Sequence, residues 1–372
     1  MGTSSLLENL QGIIIRESVH ARKDSLTRRR THAQESPSAS WISRARISSE
    51  VGNALSIVLA TQGCAHARGP SGGCTMCSYL LDGSREQPSS EQLEEQFARA
   101  MSKLDGAEGP LSVKLYTSGS FLDPEEVQLS ARASILARLR NDQRIQQVVI
   151  ESRPEFVSDE NMIQLRNLLG EREIELGVGL ESSSDFIRRI CINKGFSTEN
   201  FRRALETARA HDIGIRAYVL VKPPFLTERD ALLDSVKTAR DAAAMGVTTV
   251  SFNPVNVQKY TLVERMWSKG EYRPPWLWTV LEVLRQSRES LPRSVDIVCD
   301  PVAAGKGRGT HNCGKCDDLL TASVRLFSLT QEITDLGGVD CECLPLWRHI
   351  LEHEDSSLLV HDDLRSNPEQ RL

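Results

Sequence analysis

Nowhere in the 372 residues do about 18 apolar residues run together, so the sequence offers no membrane-spanning helix. Charges interrupt the N-terminus from Glu8 onward, which excludes the apolar core of a secretion signal and makes the cytoplasm the expected compartment. A dominant charge of one sign is missing too. The formal net charge of −5 argues against both a generally basic nucleic-acid binder and an acidic solvating chain. No cysteine occurs before Cys64, and the first cysteine group, once it comes, has no fourth member. The rest is ordinary: 40% hydrophobic and 26% charged residues, on a chain long enough for one large α/β unit with smaller appendages.

The nine cysteines carry most of the chemical information. In a reducing compartment, clustered cysteines point to metal binding or catalysis rather than to structural disulfides. Cys191 and Cys299 stand alone and are expected as small buried hydrophobes. Cys64, Cys74 and Cys77 lie in a glycine-rich loop with the spacing C-x9-C-x2-C, directly after the apolar run Leu55–Ala60. Thiolates are soft ligands suited to iron–sulfur clusters, zinc or copper(I). Three of them cannot close a tetrahedral structural zinc site. They can hold a cubic 4Fe–4S cluster and leave one iron open.

The second group pairs Cys313 and Cys316 (C-x2-C) with Cys341 and Cys343 (C-x-C), about 24 residues further on. This fits a four-cysteine zinc site, with a second iron–sulfur cluster and free thiols as alternatives. His311, His349 and His353 are available to replace a cysteine.

Strand-like runs recur through the middle of the chain at Leu55–Ala60, Leu111–Thr117, Gln147–Glu151, Glu175–Leu180, Ile213–Val221 and Thr248–Asn253. Helical patterns alternate with them, at Ser90–Leu104, Pro124–Arg140, Ser158–Leu169, Thr198–His211 and Glu228–Met245. This order implies right-handed βαβ units in an α/β fold, a partial or full βα barrel with its chemistry at the C-terminal strand ends. The expected division is a basic extension over 1–46, a barrel over 47–295 and a C-terminal metal-binding extension over 296–372. In the first of these, eight basic side chains outnumber four acidic ones, so that it is either a solvated segment or an arm following a phosphate backbone. Ser36-Pro-Ser-Ala-Ser separates a first helix from the rest. A helix over 271–290 brings Trp276 and Trp278 to the core, and another covers Asp317–Leu336.

Polar groups follow each strand: Tyr116-Thr-Ser-Gly-Ser-Phe121, Glu151-Ser-Arg-Pro154, Gly179-Leu-Glu-Ser182, Lys222-Pro-Pro-Phe-Leu-Thr227 and Asn253-Pro-Val-Asn-Val-Gln258. Together with Gly73-Cys-Thr-Met-Cys-Ser-Tyr79, Asn193-Lys-Gly-Phe196 and Arg273-Pro-Pro-Trp-Leu-Trp278, these stretches resemble the radical S-adenosylmethionine superfamily. Within it they resemble the RaSEA family of archaeosine-biosynthesis enzymes, related to the Elongator and MiaB branch. The cysteine spacing departs from the superfamily's commoner C-x3-C-x2-C and is similar to that of the Elongator catalytic subunit.

The resemblance implies that Cys64, Cys74 and Cys77 ligate three irons of a 4Fe–4S cluster, with S-adenosyl-L-methionine chelating the fourth. It implies that Gly119 and Ser120 stand at the methionine-amino contact, where the family has Gly-Gly-Glu and this chain has Ser-Gly-Ser. Glu151, Arg153 and Glu181 become candidates for the ribose and carboxylate contacts, and Lys222 for a catalytic position on the substrate side. The implied activity is a radical C–N lyase acting on tRNA. It converts the lysine adduct of 7-cyano-7-deazaguanosine, at position 15 in the D-loop, to archaeosine. The implied partners are tRNA and the lysine-transferring protein ArcS. Zinc at the C-terminal cysteines would pin the tail to the barrel and present Lys306 and Arg308 to RNA. Two other readings stay open: a different radical tRNA-modifying or small-molecule enzyme, and a zinc-dependent RNA-binding protein without catalysis.

Overall fold

Eight strands form one sheet whose order is the chain order: β1 (Ala39–Ile47), β2 (Glu50–Val58), β3 (Leu111–Tyr116), β4 (Ile145–Ser152), β5 (Glu173–Glu181), β6 (Gly214–Val221), β7 (Thr249–Pro254) and β8 (Asp296–Cys299). The computed structural model describes residues 2–22, 25 and 34–354. Strands β2 to β8 are parallel, and β1 pairs with β2 as an antiparallel hairpin. Helices cross over between the parallel strands, as right-handed connections require. β8 does not pair with β1, so the barrel is partial. The helix Asp317–Thr330 packs on both edge strands, and Arg46 reaches across to Asp296 at 3.1 Å.

The strand sequences show why one face is oil and the other is not. Leu111, Val113 and Leu115 of β3, like Leu176, Val178 and Leu180 of β5, are buried against the helices in the main core. The alternate positions, among them Ser112, Lys114 and Tyr116, therefore face the inside of the barrel. Trp276 and Trp278 lie in the same core, and Cys191 and Cys299 are buried, all as expected from sequence.

Two strands were not visible in the sequence. β1 carries Arg44 and Arg46 after exposed Trp41 and Ile42, a solvated edge strand that falls almost wholly inside the stretch assigned to the basic extension. β8 is four residues long and begins where the C-terminal extension was expected. The helix expected from Pro124 starts at Leu129, and that expected from 271 starts at Leu277. The helix expected over Asp317–Leu336 ends at Thr330, with a 3-10 turn at Ile333–Leu336. The first helix is Gly2–Arg22. Of the basic side chains assigned to a phosphate-following arm, Lys23 and Arg28 to Arg30 lie outside the described residues, as does the polar tail from Asp355. Arg22 is buried and Arg46 is paired with Asp296, whereas Arg16 and Arg44 are exposed. No described helix is long and apolar enough to cross a membrane.

Candidate active site

The three-cysteine loop follows β2 and is held from several directions. Cys64 begins a short helix, Ala65–Arg68, its carbonyl accepting from the Ala67 and Arg68 amides. A π-helical turn at Ile187–Ile192 lies alongside and ends at Asn193 with φ +57°. π-turns of this kind recur at functional sites. The Asn193 amide donates to the carbonyls of Ser71 and Gly73, both at 2.8 Å. Thr75 donates to Ile192 from its N–H and to Cys191 from its hydroxyl. Burial lowers the His66 pKa, so the ring is neutral and Nε2–H donates to the Asn193 carbonyl at 2.7 Å. Arg22 of the first helix donates to the Cys77 carbonyl at 2.7 Å, and the Gln258 side chain accepts from the Ser78 amide at 2.6 Å.

The thiols sit half-buried in a cation-rich setting. Burial pushes Cys64 up in pKa, against the pull of Arg153, and burial with the neighbouring Cys74 pushes Cys77 up to about 12. Arg153 acts electrostatically on Cys64 and Cys74, Lys194 on Cys74, and Arg22 on Cys77. A metal is what converts such thiols to thiolates. The three sulfurs do not gather at the spacing of a single ion: among the described residues, the one group of metal-ligating side chains within 4.8 Å of one another is elsewhere, at the C-terminus. Three soft donors, spread apart and ringed by cations, fit an anionic iron–sulfur cluster.

The turn after β3 presses on the first cysteine. A Cβ on Gly119 would lie 2.7 Å from the Cys64 Cα and 2.0 Å from a Glu126 oxygen, so only glycine fits. Glu126 accepts from the Ser120 amide and the Thr61 hydroxyl, each at 3.0 Å, and its burial pushes its carboxyl up to about 7. The Ser120 side chain is fully buried, its hydroxyl 3.1 Å from that of Ser152 and accepting from the Leu122 amide. This turn therefore offers a ligand its backbone rather than its side chains.

Glu151, at the end of β4, accepts from the Thr117 amide at 3.3 Å and is pushed up to about 8 by burial and the nearby Glu126. At neutral pH it is a carboxylic acid and a hydrogen-bond donor. Arg153 reaches Glu155 at 2.5 Å and lies over the Phe196 ring at 5.6 Å. Glu181, at the end of β5, pairs with Lys194 at 2.7 Å. The structure brings these groups to the same mouth as the cysteines.

Lys222 is different. Its ammonium is buried in an ion pair with Glu228 at 2.5 Å, and Glu228 also accepts from the Trp276 amide (2.7 Å) and the Thr279 hydroxyl (2.6 Å). In this geometry the charge ties the end of β6 to the helices Glu228–Met245 and Leu277–Ser290. Sequence reasoning missed Glu126 and the inward turn of Arg22, whereas Asn193 and Lys194 had a signal in the Asn193-Lys-Gly-Phe196 motif and Gln258 in the motif that follows β7.

The C-terminal cysteines close on a point. Sγ separations are 4.0 Å for Cys313–Cys316, 3.6 Å for Cys313–Cys341 and 3.7 Å for Cys316–Cys343. These are far beyond a disulfide bond of about 2.05 Å, and all cysteines are free. The Lys315 amide draws the Cys313 thiol down to about 7. Asn312 donates to the Cys316 sulfur at 3.3 Å, and the Trp278 indole donates to that of Cys343 at 3.2 Å. Among the described residues no histidine joins the group: His311 contacts the Gly309 carbonyl, and the His349 ring lies tilted against that of His353. Arg308 is engaged with Glu264, the Val257 carbonyl and the Trp267 ring, whereas Lys306 is exposed.

Comparisons with known proteins agree with this geometry. Residues 58–239 match the family model of the Radical SAM superfamily. The chain is 44% identical over 319 residues to archaeosine synthase subunit beta of Methanosarcina acetivorans, covering 86% of this chain and 91% of the relative. It is 35% identical over 314 residues to archaeosine synthase subunit beta of Thermococcus kodakarensis, covering 84% and 96%. The solved structure of Methanocaldococcus infernus Elp3, lacking its N-terminus, superimposes with a TM-score of 0.47 at 16% identity, over 58% of this chain and 54% of that one. The chain thus belongs to the radical S-adenosylmethionine superfamily and, within it, to the family of archaeosine synthase subunit beta.

Proposed function

We propose that this enzyme is the radical C–N lyase of archaeosine formation. It acts in the cytoplasm on tRNA whose position-15 base carries lysine joined to 7-cyano-7-deazaguanosine. The observation that carries the radical reading is the trio Cys64, Cys74 and Cys77, too spread for a single ion and facing the strand ends of a partial barrel. The names of the two archaeosine synthase relatives support the substrate. Their designation as a subunit supports a working complex with the lysine-transferring protein ArcS.

Cys64, Cys74 and Cys77 would hold a 4Fe–4S cluster, with the Gly119–Ser120 backbone, Glu151, Arg153 and Glu181 around S-adenosylmethionine. When bound, that pair of cofactors supplies one-electron chemistry able to remove hydrogen from an unactivated C–H bond. The chain's own work is to orient the lysine carbon beside the bridging nitrogen and to keep water out of the mouth. Loss of that hydrogen atom and of one further electron, returned to the bound cluster, would leave a C=N cation whose later hydrolysis gives an aldehyde on the lysine side and leaves the nitrogen on the base as the formamidine of archaeosine.

The C-terminal group would hold zinc. Four sulfurs about 2.3 Å from a tetrahedral centre lie about 3.8 Å apart, and the separations here run from 3.6 to 4.0 Å. A cluster with one thiolate per iron spreads its sulfurs further. The closed ligand set leaves no position for substrate, so the role is structural.

The test is anaerobic reconstitution of the cluster, followed by dithionite, S-adenosylmethionine and adduct-bearing tRNA. Adduct-dependent 5′-deoxyadenosine together with archaeosine in the digested tRNA supports the proposal. Deoxyadenosine without archaeosine transfers the activity to another substrate, and a loaded cluster yielding neither overturns it.

A further inference from the structure

The inside of the barrel is unlike a packed barrel core, where layers of branched apolar side chains fill the space. Its floor is polar and internally satisfied. Ser112 donates to Gln147 at 2.9 Å, and Gln147 to Glu173 at 2.8 Å. Arg216 pairs with Glu175 at 2.7 Å, and Glu175 also accepts from Thr248 and Thr249. Above this floor the accounting changes. The Lys114 side chain, inward-facing on β3, makes no hydrogen bond or ion pair with any described residue, yet it is more than half buried. Glu175, the inward carboxylate near it, is already committed to Arg216, and Asp300 is turned to the exposed Arg325 at 3.0 Å. Desolvation and the Arg216 charge pull the Lys114 pKa down to about 8, which is the signature of a cation without its counter-ion.

The Tyr218 phenol, also inside the barrel, is shut off from solvent beside Tyr116, with which it makes no hydrogen bond of good geometry. Space for it exists because residue 177 is glycine, where a Cβ would lie 2.3 Å from the phenol oxygen. Buried polar groups left unpaired are costly and ask for a partner. An ammonium without a counter-ion asks for an anion.

The depth selects which anion. Lys114 lies two residues below Tyr116 on β3, about 6.6 Å further from the mouth. Tyr116 is the residue before Thr117, whose amide binds Glu151 at the mouth. A phosphate of folded RNA stays outside such a mouth, while a carboxylate on a slender methylene chain passes in. We propose that Lys114 is the seat of the α-carboxylate of the substrate's amino-acid part. The inference rests on the proposed function, since it takes lysine as the group removed. With the carboxylate at this depth, the four methylenes of lysine lead back to the mouth, and the carbon that loses hydrogen stands at the strand ends beside the cysteine loop.

The experiment compares two tRNAs, one carrying the lysine adduct and one the adduct of cadaverine, which is lysine without its carboxylate. Both are tested for equilibrium binding and for kcat/KM of deoxyadenosine formation, with wild type, Lys114→Met and Lys114→Arg. Wild type is expected to favour the lysine adduct by roughly 10- to 100-fold, the worth of one charge-assisted hydrogen bond. Lys114→Met is expected to lose that preference while treating the cadaverine adduct as wild type does, and Lys114→Arg to recover part of it. Equal handling of both adducts by wild type, or an undiminished preference in Lys114→Met, overturns the proposal. Should Lys114→Met fail to fold or load its cluster, the wild-type comparison alone still decides. Absence of turnover with both adducts overturns the proposed function instead, and the binding arm still reports on the seat.

Discussion

Lys222 and Glu228 provide a sharp test of what the strand-end charges do. Glu228 is fully buried and Lys222 is 4% exposed, with 2.5 Å between their charged atoms. In Lys222→Met, Glu228 keeps the Trp276 amide and the Thr279 hydroxyl as donors but loses its counter-charge. Removing one partner of a buried pair costs about 3–5 kcal/mol, a large share of the roughly 5–15 kcal/mol that holds a typical domain folded. Glu228→Gln strands the ammonium of Lys222 instead and is expected to cost a similar amount. The double variant has no buried charge, and its loss is expected to be smaller than either single loss, a coupling on the order of 2–3 kcal/mol. Urea unfolding of the four cluster-free proteins at pH 7 measures this directly. Deoxyadenosine formation by the reconstituted double variant is expected to stay within a few-fold of wild type. The reasoning fails if Lys222→Met is as stable as wild type and yet loses adduct-dependent turnover, for then Lys222 serves the substrate after all.

Gly119→Ala forces a methyl between Cys64 and Glu126, and overpacking of this kind costs about 1–3 kcal/mol; cluster absorbance after reconstitution is expected to fall, and full loading would count against the tight approach. Elemental analysis is expected to find one zinc per chain, lost in Cys316→Ser and Cys343→Ser along with several degrees of Tm; iron in its place would refute the closed zinc site. Asp234 accepts from the Ser182 hydroxyl at 2.7 Å, and burial pushes its pKa from 3.8 to about 7. The folded protein therefore retains a proton that the unfolded chain has lost between these values, so stability falls as pH rises through them. Asp234→Asn removes that loss, which amounts to at most about 4 kcal/mol for roughly three pH units; its Tm advantage over wild type should grow from pH 5 to pH 8, and a pH-independent gap would show that Arg188 and Lys237 keep Asp234 ionised. Asn193→Ala frees two loop carbonyls and is expected to slow cluster loading with little change in urea stability, whereas unchanged loading would make the clamp irrelevant.

Much of this molecule was legible because the signals are local. Alternating apolar runs mark β2 to β7, since a strand buried on its helix side needs one apolar residue in two whatever surrounds it. The cysteine spacings predicted two groups of different character, and the structure separates them as three spread sulfurs and four convergent ones. β1 and β8 were not legible for physical reasons. β1 is an edge strand with a polar face in water, and β8 is too short for a period to register. The start of the helix at Leu129 was also hidden. Residues 124–128 read as helical, but the chain uses them to deliver Glu126 to the Gly119 turn.

By itself, then, the sequence determined ligand chemistry and element type, because thiol softness and hydrophobic period are properties of residues and their nearest neighbours. Tertiary structure alone decided which charges are free. Lys222, just past the end of β6, and Lys114, on β3, are both lysines of one barrel, and residue type alone does not distinguish them. Folding set a buried carboxylate beside the first and left the second unpaired in the lumen. The cost of a buried charge depends on what other parts of the chain bring within a few ångströms, and only the packed fold specifies that.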